Sequence, residues 1–248
     1  MTDSLGHRLK IGVVVPSTNT VVQTEFAAMQ PPGVTNHVSR IAIPDAKLGS
    51  DDDFIAHIER MRAGIDAAVE RVMTCNPDYV VNGLSLEAFW EGLQGSLDML
   101  DRLEKKFSIK MSMGNNAILE ALKKVGNIKK IALITPHKPL GDERVRRFFN
   151  EAGYDVTDLF SFNVGMPAEI CHVSETALRE ATLKVNASNP DAIVQVGTGL
   201  ANAKVAGEAW LWLKKPVIAI NTACYWHALR HSGIDDKVHG FGPLLADY

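Results

Sequence analysis

Lys10-Ile11-Gly12-Val13-Val14-Val15-Pro16 is the first apolar run of the chain, and Lys130-Ile131-Ala132-Leu133-Ile134-Thr135-Pro136 repeats it 120 positions later. A continuous β-branched run of this length is what a parallel strand covered on both faces requires. Working outward, Gly33 and Gly153 stand at the same spacing, each ahead of a second strand. Asn76-Pro77-Asp78 recurs as Asn189-Pro190-Asp191, and each triplet leads into a short apolar run that ends at glycine. Those runs are Tyr79-Val80-Val81-Asn82-Gly83 and Ala192-Ile193-Val194-Gln195-Val196-Gly197. Ala121-Leu122 with Gly126 recurs as Ala228-Leu229 with Gly233. Any one match could arise by chance. Their common order points to a duplication, at a period far longer than that of a solenoid repeat.

Within the first copy, strands are expected over 10–16, 34–43, 79–82 and 109–113, with helices over 59–73 and about 95–106. Alternating strands and helices make an α/β protein. The expected architecture is two pseudo-symmetric halves, each a four-stranded, mainly parallel sheet flanked by helices, with the active site in the cleft between them. The halves divide as 1–114 and 115–220, and the segment 221–248 packs back on the first. The helices near 115–124 and 221–231 are expected to cross over or seal the interface. No linker rich in Gly, Ser or Pro separates the halves, which argues for a tight joint.

The chain has 248 residues, 46% hydrophobic and 22% charged, with a net charge of −3. This balance gives no basic footprint for nucleic acid or an anionic membrane surface. No apolar run reaches the roughly 20 residues that span a bilayer. The first eight residues lack the apolar core of a secretory signal, and three widely spaced cysteines (Cys75, Cys171, Cys224) show no metal-ligand spacing. A cytoplasmic location with reduced thiols follows as the expectation.

Ligands of open parallel sheets bind beyond the carboxyl ends of the strands. Four strand ends here are polar or glycine-rich: Pro16-Ser17-Thr18-Asn19-Thr20, Gly83-Leu84-Ser85-Leu86-Glu87, Thr135-Pro136-His137-Lys138-Pro139 and Gly197-Thr198-Gly199-Leu200. The glycines let backbone approach a ligand closely, and Ser17, Thr18, Asn19, Ser85 and Thr198 add neutral hydrogen-bonding groups. Helix capping accounts for one such cluster; four at duplicated positions favour a site for a small carboxylate. No GxGxxG opens the first helix and no phosphate-binding P-loop occurs, so no nucleotide, other cofactor or metal is expected.

At these loops the sequence resembles the maleate isomerase and arylmalonate decarboxylase branch of the aspartate/glutamate racemase superfamily. The stretch from Ile11 to Thr20, with Glu25 downstream, is similar to the isomerase opening motif. The resemblance implies that Asn19 holds a substrate carboxylate. Gly83-Leu84-Ser85 resembles the decarboxylase loop that cradles a carboxylate with hydroxyls and amides, and His137 takes the place of a substrate-contacting tyrosine. Asp191–Leu200 takes the place of the second catalytic loop. Isomerases and racemases of this superfamily carry cysteine at both strand ends, where this chain has Gly83 and Gly197.

A covalent cysteine mechanism is therefore not the expectation. The expected activity is a cofactor-independent lyase of decarboxylase type on a small carboxylate or dicarboxylate. His137, Glu87 and His172 are the candidate acid/base groups. The binding set is Ser17, Thr18, Asn19, Gly83, Leu84, Ser85, Asn163, Gly197, Thr198 and Gly199. Lys138 could attract an anion, and Cys171 beside His172 is the cysteine nearest to chemistry. The alternatives are a hydrolase or hydratase, a maleate-type isomerase, and a non-catalytic acid-binding relative. Homo-oligomerisation is left open.

Overall fold

The computed structural model describes residues 3–248. Its first half runs β1 (Leu9–Pro16), α1 (Val22–Met29), β2 (Val34–Ile41), α2 (Asp51–Met73), β3 (Tyr79–Asn82), α3 (Leu86–Phe89), α4 (Gly92–Phe107), β4 (Met111–Met113) and α5 (Gly114–Val125). The second half runs β5 (Lys130–Thr135), α6 (Pro139–Glu151), β6 (Asp155–Ser161), a 3₁₀ turn (Pro167–His172), α7 (Glu175–Asn186), β7 (Ala192–Gln195), α8 (Ala203–Leu213), β8 (Val217–Ala219) and α9 (Ile220–His231). A short α10 (Pro243–Asp247) ends the chain. Each half holds one four-stranded sheet, in the orders β2-β1-β3-β4 and β6-β5-β7-β8, and every pairing is parallel.

The repeated letters do the same physical work in both copies. Asn76 and Asn189 both adopt left-handed backbone, with φ of 50° and 52°. The aspartates that follow clamp the first strand of each sheet. Asp78 N–H donates to Lys10 O at 2.8 Å, and its carboxylate accepts from Lys10 N–H at 2.8 Å. Asp191 makes the same two bonds with Lys130. Gly33 and Gly153 turn the chain into β2 and β6 at φ of 81° and 89°, a conformation in which a Cβ is strained.

Helix α2 starts at Asp51, two turns ahead of the expected Glu59. Ser50 and Asp53 form a capping box, with the Ser50 hydroxyl accepting from Asp53 N–H and the Asp53 carboxylate accepting from Ser50 N–H. The apolar stripe of Phe54, Ile58, Met61 and Ile65 then runs unbroken into the core.

The halves share one core rather than meeting at a polar seam, since a single apolar cluster includes residues of both sheets. Phe89 of α3 stands edge-on to Phe148 of α6 at 4.8 Å between ring centres. Helix α9 is buried all round from Ile220 to Leu229 and packs along α5 and β4, so it is held by the first half although it follows the second. Ser112 of β4 donates to the Cys224 carbonyl at 2.9 Å, and Tyr225 donates to Asn36 at 3.2 Å. Among the described residues, no helix is long and apolar enough to cross a membrane.

Candidate active site

In both sheets the chain leaves its first strand to one side and returns on the other, between β1 and β3 and between β5 and β7. These are the switch points at which neighbouring loops diverge and leave a crevice. The two crevices face each other and enclose one cavity. Its lining includes Thr18, Asn19, Ser85, Glu87, His137, Lys138, Gly197, Thr198 and Gly199. The space open to water centres is about 90 Å³, enough for a handful of waters or a small acid.

The polar side is tied across the two halves. Asn19 Oδ1 accepts from Val21 and Val22 N–H at 2.9 and 3.0 Å, capping the entry to α1. Its Nδ2 donates to Thr198 Oγ1 at 3.2 Å. The Thr198 carbonyl in turn accepts from Asn221 Nδ2 at 3.0 Å, and the same amide donates to Glu25 at 2.6 Å. Glu25 also accepts from Ala203 N–H at 2.9 Å. Burial pushes the Glu25 carboxyl up to about 7 despite these two donors.

Two polar atoms in the lining have no partner, Ser85 Oγ and His137 Nε2. A buried polar group left unpaired costs about 1–3 kcal/mol, which a ligand can recover. The His137 backbone is fixed from both sides, its carbonyl accepting from Ser161 Oγ at 2.6 Å. Burial lowers its imidazole to about 3, so the ring is neutral at pH 7. Glu87 is also buried and accepts from Ser85 N–H at 3.2 Å, and burial raises its carboxyl above the usual range. Both shifts have one cause: a site of low polarity disfavours either charged form.

Much of the remaining lining is apolar. Phe54, Ile58 and Met61 supply it from α2, with Ile43, Leu48, Val164, Pro167 and Ile170 from two loops. Those loops follow β2 and β6 and meet over the cleft, where Leu48 N–H donates to Gly165 O at 2.9 Å and Ala168 N–H to Asp45 at 3.2 Å. His57 of α2 also faces the cavity and was not foreseen, nor were Glu25 and Asn221 as the tie between halves. Only the helical spacing of His57 to Phe54 and Met61 signalled it.

Five expected site residues lie outside the lining. Ser17 is exposed, its hydroxyl exchanging hydrogen bonds with the Ile43 backbone at 3.1 and 3.2 Å, which fastens β1 to the loop after β2. Leu84 points into the core. Gly83 donates its N–H to Val14 O at 2.7 Å, and a Cβ there would stand 2.9 Å from Val15 Cγ1, within the core. Asn163 is exposed at φ 50°, and His172 is exposed at the end of the 3₁₀ turn. The neighbour Cys171 lines the cavity instead, with its thiol donating to Ala168 O at 3.2 Å. Gly197 does line it, at φ 113°, and a Cβ on that backbone would overlap the Pro136 ring. Cys75 and Cys224 lie elsewhere, and burial pushes the Cys224 thiol up to about 12.

Comparison with known proteins gives a family and a fold. The sequence profile of the arylmalonate decarboxylase family matches residues 11–245. The chain is 25% identical to a maleate isomerase of Geobacillus stearothermophilus over 266 aligned positions, covering 98% of this chain and 99% of that one. Its fold is similar to that of a Nocardia farcinica maleate cis-trans isomerase, a cysteine-to-serine mutant with a covalently bound succinylcysteine intermediate. The TM-score is 0.88 at 20% identity, over 97% of this chain and 99% of that one. Arylmalonate decarboxylase itself superposes with a TM-score of 0.76 at 20% identity, over 95% and 98% of the two chains.

Proposed function

The chain belongs to the arylmalonate decarboxylase family, and from that membership we propose that it is a cofactor-independent enzyme that decarboxylates a small dicarboxylate bearing an apolar substituent. The observation that carries this reading is the pair of unpartnered buried atoms, Ser85 Oγ and His137 Nε2, in a cavity that Glu87 and a set of apolar side chains also line. Lys138 at the lining offers the positive charge that draws an anion in.

One substrate carboxylate is held by the Ser85 hydroxyl and the Thr198–Gly199 loop. The other lies against Phe54, Ile58 and Met61, where an anion is poorly solvated and neutral CO₂ is not. The bond from the central carbon to that carboxylate breaks, CO₂ leaves, and the electron pair passes into an enediolate. Ser85 Oγ–H and a neutral His137 carrying hydrogen on Nε2 stabilise the developing oxyanion. Glu87, kept protonated by burial, then delivers a proton to the carbon and is reprotonated from water.

Cys171 favours a second reading, because its thiol lines the same cavity. A thiolate there could add to a carbon–carbon double bond and release the isomer after rotation, consistent with the names of the curated relatives. A substrate panel separates the two. Methylmalonate and phenylmalonate are assayed for CO₂ release, and maleate for conversion to fumarate. Decarboxylation of a substituted malonate with maleate left unchanged is the expected result. Fumarate formation without CO₂ release overturns it.

A further inference from the structure

Glu120 of α5 and His227 and His231 of α9 come together where these two helices pack on each other, and none of them lines the acid cavity. The two histidines are four residues apart and so share one face of their helix. Their rings stack at 4.0 Å between centres and 17° between planes. His231 Nε2 lies 2.8 and 3.0 Å from the two Glu120 oxygens, and His227 Nε2 lies 3.2 Å from one of them. The three ligand atoms all fall within 4.8 Å of one another. Tyr79 OH is 2.9 Å from the other nitrogen of His227, where it fixes the ring as an outer partner of a metal ligand does.

We propose that Glu120, His227 and His231 bind one divalent late-transition-metal ion, Zn²⁺ being the fitting case, which clips α5 to α9. Two imidazoles and a carboxylate form a three-ligand zinc set with a fourth position for water, and metal–nitrogen distances of about 2.0–2.1 Å need only small shifts of these side chains. Calcium and magnesium, which take six or more oxygens, do not fit this set. His227 is buried, Glu120 half-buried and His231 exposed, so the site is rigid on its inner side and open to entry on its outer side. With Zn²⁺ bound, Tyr79 OH would accept from His227 Nδ1–H and leave the Nε2 lone pair to the metal. The motif is not legible as a spacing, since His231 and Glu120 are 111 positions apart.

The test uses the intact chain after EDTA treatment and dialysis. ZnCl₂ is titrated by calorimetry, Tm is read with and without it, and Co²⁺ is added as a visible probe. The expected results are one ion per chain, the intense absorption of four-coordinate Co²⁺, and a Tm rise of about 5 °C at saturating Zn²⁺. Mg²⁺ should give no shift. His231→Ala, at an exposed position, and Glu120→Gln should each weaken Zn²⁺ binding at least about tenfold and remove the Zn²⁺-dependent part of Tm. A hydrogen-bonded cluster without metal function would change only the metal-free Tm. Absence of Zn²⁺ uptake by the unaltered chain, or a Zn²⁺ shift unchanged in His231→Ala, overturns the proposal.

Discussion

Burial moves Glu87 and His137 in opposite directions, raising the carboxyl of the one and lowering the imidazole of the other to about 3. Both shifts act against charge in the cavity that the two residues line. Glu87→Gln should leave the fold intact and lower kcat by about 10²–10⁴-fold, as loss of a general acid does, which steady-state kinetics can read. Ser85→Ala should lower kcat by about 10²–10³-fold, since it removes a donor aimed at developing charge. With Glu87 as the proton donor, kcat should fall as pH rises through a value above the ordinary carboxylate range, because the reactive form is the protonated one. A kcat profile that instead rises there would assign Glu87 the role of base. Ser85, Glu87, His137 and Thr198 were legible because the duplicated strand ends, two of them at glycine, mark where a ligand can sit. Ser17, Asn163 and His172 were not, because facing depends on one bond rotation. In the 3₁₀ turn Cys171 points in and His172 points out.

Elements place these residues, and Asn19 shows how closely placement and stability are linked. Its carboxamide caps α1 with one end and holds Thr198 of the opposite half with the other. Asn19→Ala should cost about 1–2 kcal/mol in urea unfolding, the range for a lost cap. It should also raise KM, because Thr198 loses its partner. A fall in stability with KM unchanged would confine Asn19 to capping. The strands were legible to within a few residues from their β-branched runs. Helix α2 was legible in pattern but started two turns early, because the Ser50–Asp53 box lies upstream of the stripe that announces the helix. That early start carries Phe54, His57 and Ile58 into the cavity lining.

At the scale of the whole molecule, the duplication explains why there is one cavity and not two, since each half contributes the open ends of two strands to a shared space. The repeat was legible in letters because its turns impose backbone demands that few residues meet. A return of the segment 221–248 to the first half was expected from the sequence, but its seat along α5 and β4 was not legible, because a helix buried on all sides carries no stripe to say which elements cover it. Glu25 joins the halves through Asn221 and Ala203, and its carboxyl rises from 4.5 to about 7 on folding. The native state therefore holds a proton that the unfolded chain has released. The resulting stability is complete below about 4.5 and is lost as pH rises towards 7, a change of at most about 3 kcal/mol. Urea midpoints across that window should fall in the unaltered chain and stay flatter in Glu25→Gln; equal slopes would remove Glu25 from the account. The most direct test of the central claim is the rate of CO₂ release from a substituted malonate in three proteins: unaltered, Glu87→Gln and Cys171→Ser. The account predicts that turnover survives in Cys171→Ser and collapses in Glu87→Gln. Turnover that survives in Glu87→Gln and disappears in Cys171→Ser would contradict it.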